Sequence, residues 1–173
     1  MTKGLPYSMS RGAPLRQEII KQTVTVRDAA VTVDGATGVG FGSVVIGDIP
    51  EGNILILGAV AYMQFTGPTS ASLDDDWVGD YGIGSTPADD ATITTTDINI
   101  IGSTAIAAAT AEASPRTRGT SNTTDLDHIL DNTDGSLEIN LTLLVDDANI
   151  GADGLDFTVN GELTLAYIML LDD

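Results

Sequence analysis

The feature that most constrains this chain is the alternation of side chains across residues 136–171. In its first half Leu137, Ile139, Leu141, Leu143 and Val145 share one parity, and Glu138, Asn140 and Thr142 take the other. In its second half Leu155, Phe157, Val159, Leu163, Leu165, Tyr167, Met169 and Leu171 fall in step with Gly161, opposed by Asp156, Thr158, Asn160, Glu162 and Thr164. Successive side chains of a strand point to opposite faces, so a period of two specifies two strands, each with one face on a core and the other in water. Residues 146–154 between them are rich in Asp, Asn and Gly, which turn the chain, and poor in side chains that pack. The two strands are therefore expected to pair antiparallel around this turn.

The rest of the chain repeats the pattern in shorter pieces. Residues 22–34 read as a strand whose phase changes near Arg27 and Asp28, the signature of a β-bulge. Residues 39–46 read as a second strand or strand pair, loosened by Gly38, Gly40 and Gly42. Residues 54–66 are apolar on both parities, which predicts a strand covered on both faces. Residues 92–101 look strand-like, residues 128–131 read as a short edge strand, and residues 132–135 as a turn. The Ala-rich stretch 103–114 has the propensity of a helix, or of a loop packed on the sheet. Seven or eight short strands with frequent turns predict an all-β fold: an antiparallel β-sandwich, jelly-roll-like, over residues 22–173, preceded by an extended N-terminal arm over residues 1–21.

Charge divides the chain at nearly the same place. Residues 1–27 carry Lys3, Arg11, Arg16, Lys21 and Arg27 against Glu18 alone, a net +4, while the remainder holds two basic and 24 acidic residues, a net −22. So acidic a body repels nucleic acid and anionic membranes. The chain has no cysteine, which removes disulfides and thiolate chemistry. No apolar leader is legible at the N-terminus. The arm is broken by Gly4, Pro6, Gly12 and Pro14 yet keeps apolar side chains, more than a purely disordered tail requires.

Chemistry is harder to find. His128 is the sole histidine, and no Gly-x-Ser-x-Gly elbow accompanies it, so a hydrolase has little to stand on. Adjacent carboxylates such as Asp89 and Asp90 are expected by chance in so acidic a chain. The acids Asp74, Asp75, Asp76, Asp146, Asp147 and Asp153 suit calcium by ligand type, but solvated loops account for them as well, and Leu130 stands at the first ligand position of the only EF-hand-like spacing. The glycines of residues 38–42 lack the lysine and the helix of a phosphate loop. No catalytic residue, metal ligand or cofactor is assigned.

Several stretches are phrased like a known class. Val78, Gly79, Asp80, Tyr81, Gly82, Ile83 and Gly84 run through Ser85, Thr86, Pro87 and Ala88 to Asp89 and Asp90. Thr94, Thr95, Thr96 and Asp97 follow, and later come Leu141 to Ile150 and Val159 to Ile168. From Gln22 onward the chain resembles small β-rich virion proteins of tailed bacteriophages, of the capsid decoration or cement type. The resemblance lies in strands and turns rather than in a catalytic signature, and the basic arm departs from it. It implies a non-enzymatic protein assembled in the host cytoplasm. Such a protein sits on the outer capsid surface, commonly as a homotrimer, and bridges subunits of the major capsid protein. The arm is expected to contact the shell, with Leu5, Tyr7, Met9, Leu15 and Ile19 as apolar anchors and Arg11, Arg16, Lys21 and Arg27 as its charges. The competing expectation is a carbohydrate- or receptor-binding jelly roll of a head or tail fibre, with a groove lined by Trp77 and Tyr81.

Overall fold

The computed structural model describes residues 18–36, 38–68, 77–108, 113–122, 129–146 and 154–170. Among them are nine strands: β1 (Ile20–Ala36), β2 (Val39–Asp48), β3 (Gly52–Thr66), β4 (Val78–Gly84), β5 (Ile101–Ile106), β6 (Thr117–Thr120), β7 (Ile129–Asn132), β8 (Glu138–Asp146) and β9 (Leu155–Leu170). A single 3-10 turn spans Thr95–Asp97. The fold is the all-β, antiparallel, jelly-roll-like sandwich that the alternation demands. Strand order is β5-β4-β8-β2-β1-β9-β3-β6, with β7 also on β3. An isolated bridge from Ile101 to Ser121 brings the two ends of that order together and nearly closes the sheet.

The pairing of the two C-terminal strands differs from the sequence reading. β8 pairs with β2 and β4, whereas β9 pairs with β1 and β3. They belong to opposite layers, and their apolar faces meet in one core that includes Ile139, Leu141, Leu143, Val145, Phe157, Val159, Leu163 and Leu165. Alternation dictates which face of a strand is buried but carries no information about its hydrogen-bonded neighbour. Cross-layer contacts hold the two layers together. The Phe65 and Tyr81 rings lie 5.3 Å apart, and Trp77 meets Phe157 edge-on at 5.1 Å.

Two bulges explain the changes of phase. In β1 the register slips between Val26 and Ala29, and Asp28 takes a φ of 47°. Asn160 locks that strained residue: its Oδ1 accepts the Asp28 amide at 3.0 Å and its Nδ2 donates to Asp28 Oδ1 at 3.1 Å. Val24 and Val26 before the bulge, and Val31 and Val33 after it, thereby all face inward. In β3 the register slips between Ile56 and Gly58. Ile54 and Ile56 face inward before the slip, and Ala61, Met63 and Phe65 after it. β3 is thus buried on one face, not two, and Leu57 and Tyr62 are exposed. A bulge inside an apolar run looks, in sequence, like a doubly covered strand.

The outer face of β8 is not in water as the alternation suggested. Asn140 and Thr142 are buried, Thr142 completely. Residues 85–100 fold back over them. Ser85 donates its amide to Thr96 O at 3.0 Å, and Ile100 donates to Ile83 O at 3.0 Å. Ser43 Oγ bonds Thr142 Oγ1 at 2.9 Å and accepts the Ala88 amide at 3.1 Å. Gly82 makes the approach possible, because a Cβ there would stand 2.3 Å from an Ile98 methyl. The stretch read as a strand over residues 92–101 is mostly this cover, and β5 begins only at Ile101. Of the stretch 103–114, read as a helix or a loop packed on the sheet, residues 103–106 belong to β5, in which Ile101 and Ile106 are buried, and residues 109–112 lie outside the described residues. Tertiary burial of Ile101 and Ile106 outweighs the helix propensity of Ala105 within β5.

Candidate functional site

The sequence placed the functional surface on the arm, and the structure shows where that arm joins the body. Ile20 pairs with Tyr167 and Lys21 with Ala166, so the first strand starts two residues earlier than expected and Lys21 belongs to β1. Ile19 stands at its entrance and is 66% exposed. Leu5, Tyr7, Met9, Arg11, Leu15 and Arg16 lie outside the described residues. Arg27 is exposed beside the bulge, eight residues along β1 from Ile19, which at about 3.3 Å per residue is roughly 26 Å away. Ile19 and Lys21 therefore share a site, and Arg27 is not part of it.

That site is a shallow groove of about 400 Å³ on the outer face of β1, β9 and β3. Ile19 and Lys21 form one wall, and Gly58, Val60, Thr164 and Ala166 line the rest. The pairing that builds it is read directly from the ladder: Lys21 lies opposite Ala166, Ala166 opposite Gly58, and Thr164 opposite Val60. The glycine at the β3 bulge and the small Ala166 keep the floor low. Beside the groove an apolar row crosses the layer, in which Ile168 pairs with Leu55 and Leu55 with Ile129. Ile129 is 56% exposed, and Leu57 nearby is 47% exposed. The outer side chains of β9 are polar up to Thr164 and become Ala166, Ile168 and Leu170 thereafter. That switch was the available signal for the surface; the sequence reading placed the alternate residues Tyr167, Met169 and Leu171 on the core face and did not single out Ala166 and Ile168.

The aromatic groove expected of a carbohydrate- or receptor-binding module is not formed by Trp77 and Tyr81. Both side chains are buried, Trp77 at 2% exposure and Tyr81 at 0%. The Tyr81 hydroxyl donates to Thr117 O at 3.3 Å, and burial pushes its pKa up to about 12 against a small opposing effect of the Gly119 amide. Trp77 Nε1 has no hydrogen-bond partner among the described residues.

The acids that suited calcium are mostly beyond view. Asp74, Asp75, Asp76, Asp147 and Asp153 lie outside the described residues, as does His128. Among the described residues no three of His, Cys, Asp and Glu converge to hold a metal ion. Asp134, in the turn that the sequence indicated, spends its carboxylate locally. Its Oδ1 accepts from Ser136 Oγ at 2.7 Å and from the Ser136 amide at 3.0 Å, which holds its pKa below the usual range. Asn132 beside it was read only as a turn residue and is fully buried. It donates to Ile49 O at 2.7 Å and Pro50 O at 3.0 Å and accepts the Leu137 amide at 2.8 Å, so it pins β7 to the start of β8.

No family model matches the chain, and no curated protein does. Among solved structures it is similar to a chain in the structure of infectious bursal disease virus Gx strain, with 13% sequence identity and a TM-score of 0.43. The alignment covers 86% of this chain and 32% of that one, so this chain spans about a third of the length of the protein it matches.

Proposed function

We propose that this protein is a non-enzymatic virion structural protein that decorates the outer surface of a tailed-phage capsid and stabilises it by bridging subunits of the major capsid protein. The observation that carries this reading over a sugar- or receptor-binding module is the burial of Trp77 and Tyr81. The aromatics that would stack on a ligand are instead joined across the two layers to Phe157 and Phe65. Stacking recognition needs an exposed ring face, and these rings stabilise the body. The resemblance of residues 78–90, 94–101, 141–150 and 159–168 to decoration proteins supports the same reading, because the described ones among them belong to β4, β5, β8, β9 and the cover over β8.

In this role the sandwich is the rigid block and the basic arm the attachment. Ordering the arm costs roughly 1–2 kcal/mol per residue of backbone entropy, while an exposed ion pair returns about 0–1 kcal/mol. Attachment therefore depends on Leu5, Tyr7, Met9 and Leu15 more than on Arg11 and Arg16. A homotrimer belongs to the same reading, and the exposed Leu57 and Ile129 are apolar side chains suited to a subunit contact. Sedimentation with empty shells of the particle that carries the protein tests the proposal. The full chain should pellet with the shells, and a chain lacking residues 1–17 should keep its melting transition and lose most of its binding. Full occupancy by the truncated chain would move the contact to the sandwich loops. No binding by either chain would end the decoration reading.

A further inference from the structure

We infer that two copies of this protein join edge to edge through β1, antiparallel across a two-fold axis at Gln22. Residues 20–26 pair with β9 on one side, and among the described residues the other side of β1 is taken up by β2 only at residues 34–36. Ser121 donates its amide to Ala59 O at 3.0 Å, and Ser114 donates its amide to Phe65 O at 2.7 Å, so Ala59 and Phe65 turn their backbone groups away from β9. Hydrogen bonding alternates along an antiparallel strand. Leu165 and Leu163, opposite Ala59 and Ala61, therefore turn toward β1. Gln22 and Val24, opposite those leucines, turn toward β9, which leaves Lys21, Thr23 and Thr25 pointing their N–H and C=O groups out of the edge. A row of outward backbone groups is a template for another strand.

Amide, apolar and charged groups along this edge all suit a second copy as that strand. Gln22 Oε1 is buried and has no hydrogen-bond partner among the described residues. A two-fold axis at residue 22 sets the two Gln22 side chains opposite each other, where each Oε1 accepts from the partner's Nε2. In the same register Lys21 exchanges backbone hydrogen bonds with the partner's Thr23, and Ile20, 38% exposed in the single chain, packs on the partner's Val24. Residues 18–27 carry Glu18, Lys21 and Arg27, a net +1 in a chain of net −18, so two copies meet here without the repulsion of the acidic body. Glu18 and Arg27 are both exposed and stand at opposite ends of the edge, and antiparallel pairing brings each Glu18 beside the partner's Arg27. The bulge after Val26 ends the pairing. This contact lies two strands from Leu57 and does not depend on shell binding.

Two measurements on the full chain test the contact. The native chain has no cysteine, so a single engineered one can form a disulfide only with another copy. In this register only residue 22 faces itself, in a non-hydrogen-bonded pair with Cα atoms about 4.5 Å apart, a separation that a disulfide spans. With a mild thiol oxidant at low micromolar protein, Gln22→Cys should form crosslinked dimers at least ten times faster than Ile20→Cys, Val24→Cys or the exposed control Asp131→Cys. Thr23→Pro removes an outward N–H and leaves the ladder to β9 whole, so adding it to Gln22→Cys should bring crosslinking down to the control rate. In amide exchange, Lys21 and Thr25 should exchange at least ten times more slowly in the native protein than in Thr23→Pro. Val24, bonded to β9, should be equally protected in both. Equal crosslinking at all four positions, a maximum away from residue 22, or fast exchange of Lys21 and Thr25 in the native protein would overturn the inference.

Discussion

Thr142→Lys separates the structure from its sequence pattern. By alternation Thr142 belongs to the wet face of β8, where a lysine is nearly neutral. In the fold it is fully buried beneath residues 85–100, with its hydroxyl 2.9 Å from Ser43 Oγ, which in turn accepts the Ala88 amide. Losing the hydroxyl and leaving its partner short of a bond costs about 1–3 kcal/mol. Forcing a longer side chain under the cover adds roughly 1–3 kcal/mol. Together these are about 2–6 kcal/mol, and at about 2–4 °C per kcal/mol for a protein of this size the melting temperature should fall by roughly 4–24 °C. The cover can also peel away locally, which caps the global loss at the cost of opening it. The assay therefore pairs thermal melting with amide exchange of residues 85–100. A Thr142→Lys protein with wild-type melting and a fully protected Ile100 amide would refute the burial of this face.

Other consequences follow from close approaches and from burial. Gly42→Ala should cost several kcal/mol and lower the denaturation midpoint, because a Cβ there would stand 2.0 Å from Thr32 O where β1 crosses β2; an unchanged midpoint would mean that the crossing is looser than described. Leu141→Asp should abolish cooperative folding, since it places an unpaired carboxylate at a fully buried core position; a soluble, sharply melting variant would remove Leu141 from the core. Because the Tyr81 pKa rises from 10.0 to about 12 on folding, the unfolded chain releases this proton first as pH rises. Stability should be unaffected by Tyr81 below pH 10 and fall by about 2 kcal/mol between pH 10 and 12. Tyr81→Phe should flatten that part of the denaturation profile, and an unchanged slope would exclude Tyr81 as its source.

Much of the fold was legible because burial leaves a period in the sequence. The inward faces of β8 and β9, the bulge near Arg27 and Asp28 and the turn at residues 132–135 appear where side-chain parity and turn chemistry put them, and the edge strand read at residues 128–131 is found at Ile129–Asn132. What was not legible depends on contacts distant in sequence. The partners of β8 and β9 are chosen by the whole sheet order. Burial of Asn140 and Thr142 depends on a segment some fifty residues earlier. The bulge at Leu57 mixes two inward parities in one apolar run, so β3 looked covered twice. Of the candidate site, Ile19 and Lys21 were recognised individually, but the groove they share with Val60, Thr164 and Ala166 exists only through the β1-β9-β3 register. The apolar switch at Ala166 and Ile168 was visible and was not singled out.

The most direct measurement is a cryo-EM map of the particle carrying this protein. The account predicts density for the two-layer sandwich on the outer surface of the shell, touching more than one major capsid subunit, with the Trp77 side inside the body. Density at a fibre tip, or a sandwich contacting a receptor or sugar rather than the shell lattice, would contradict it.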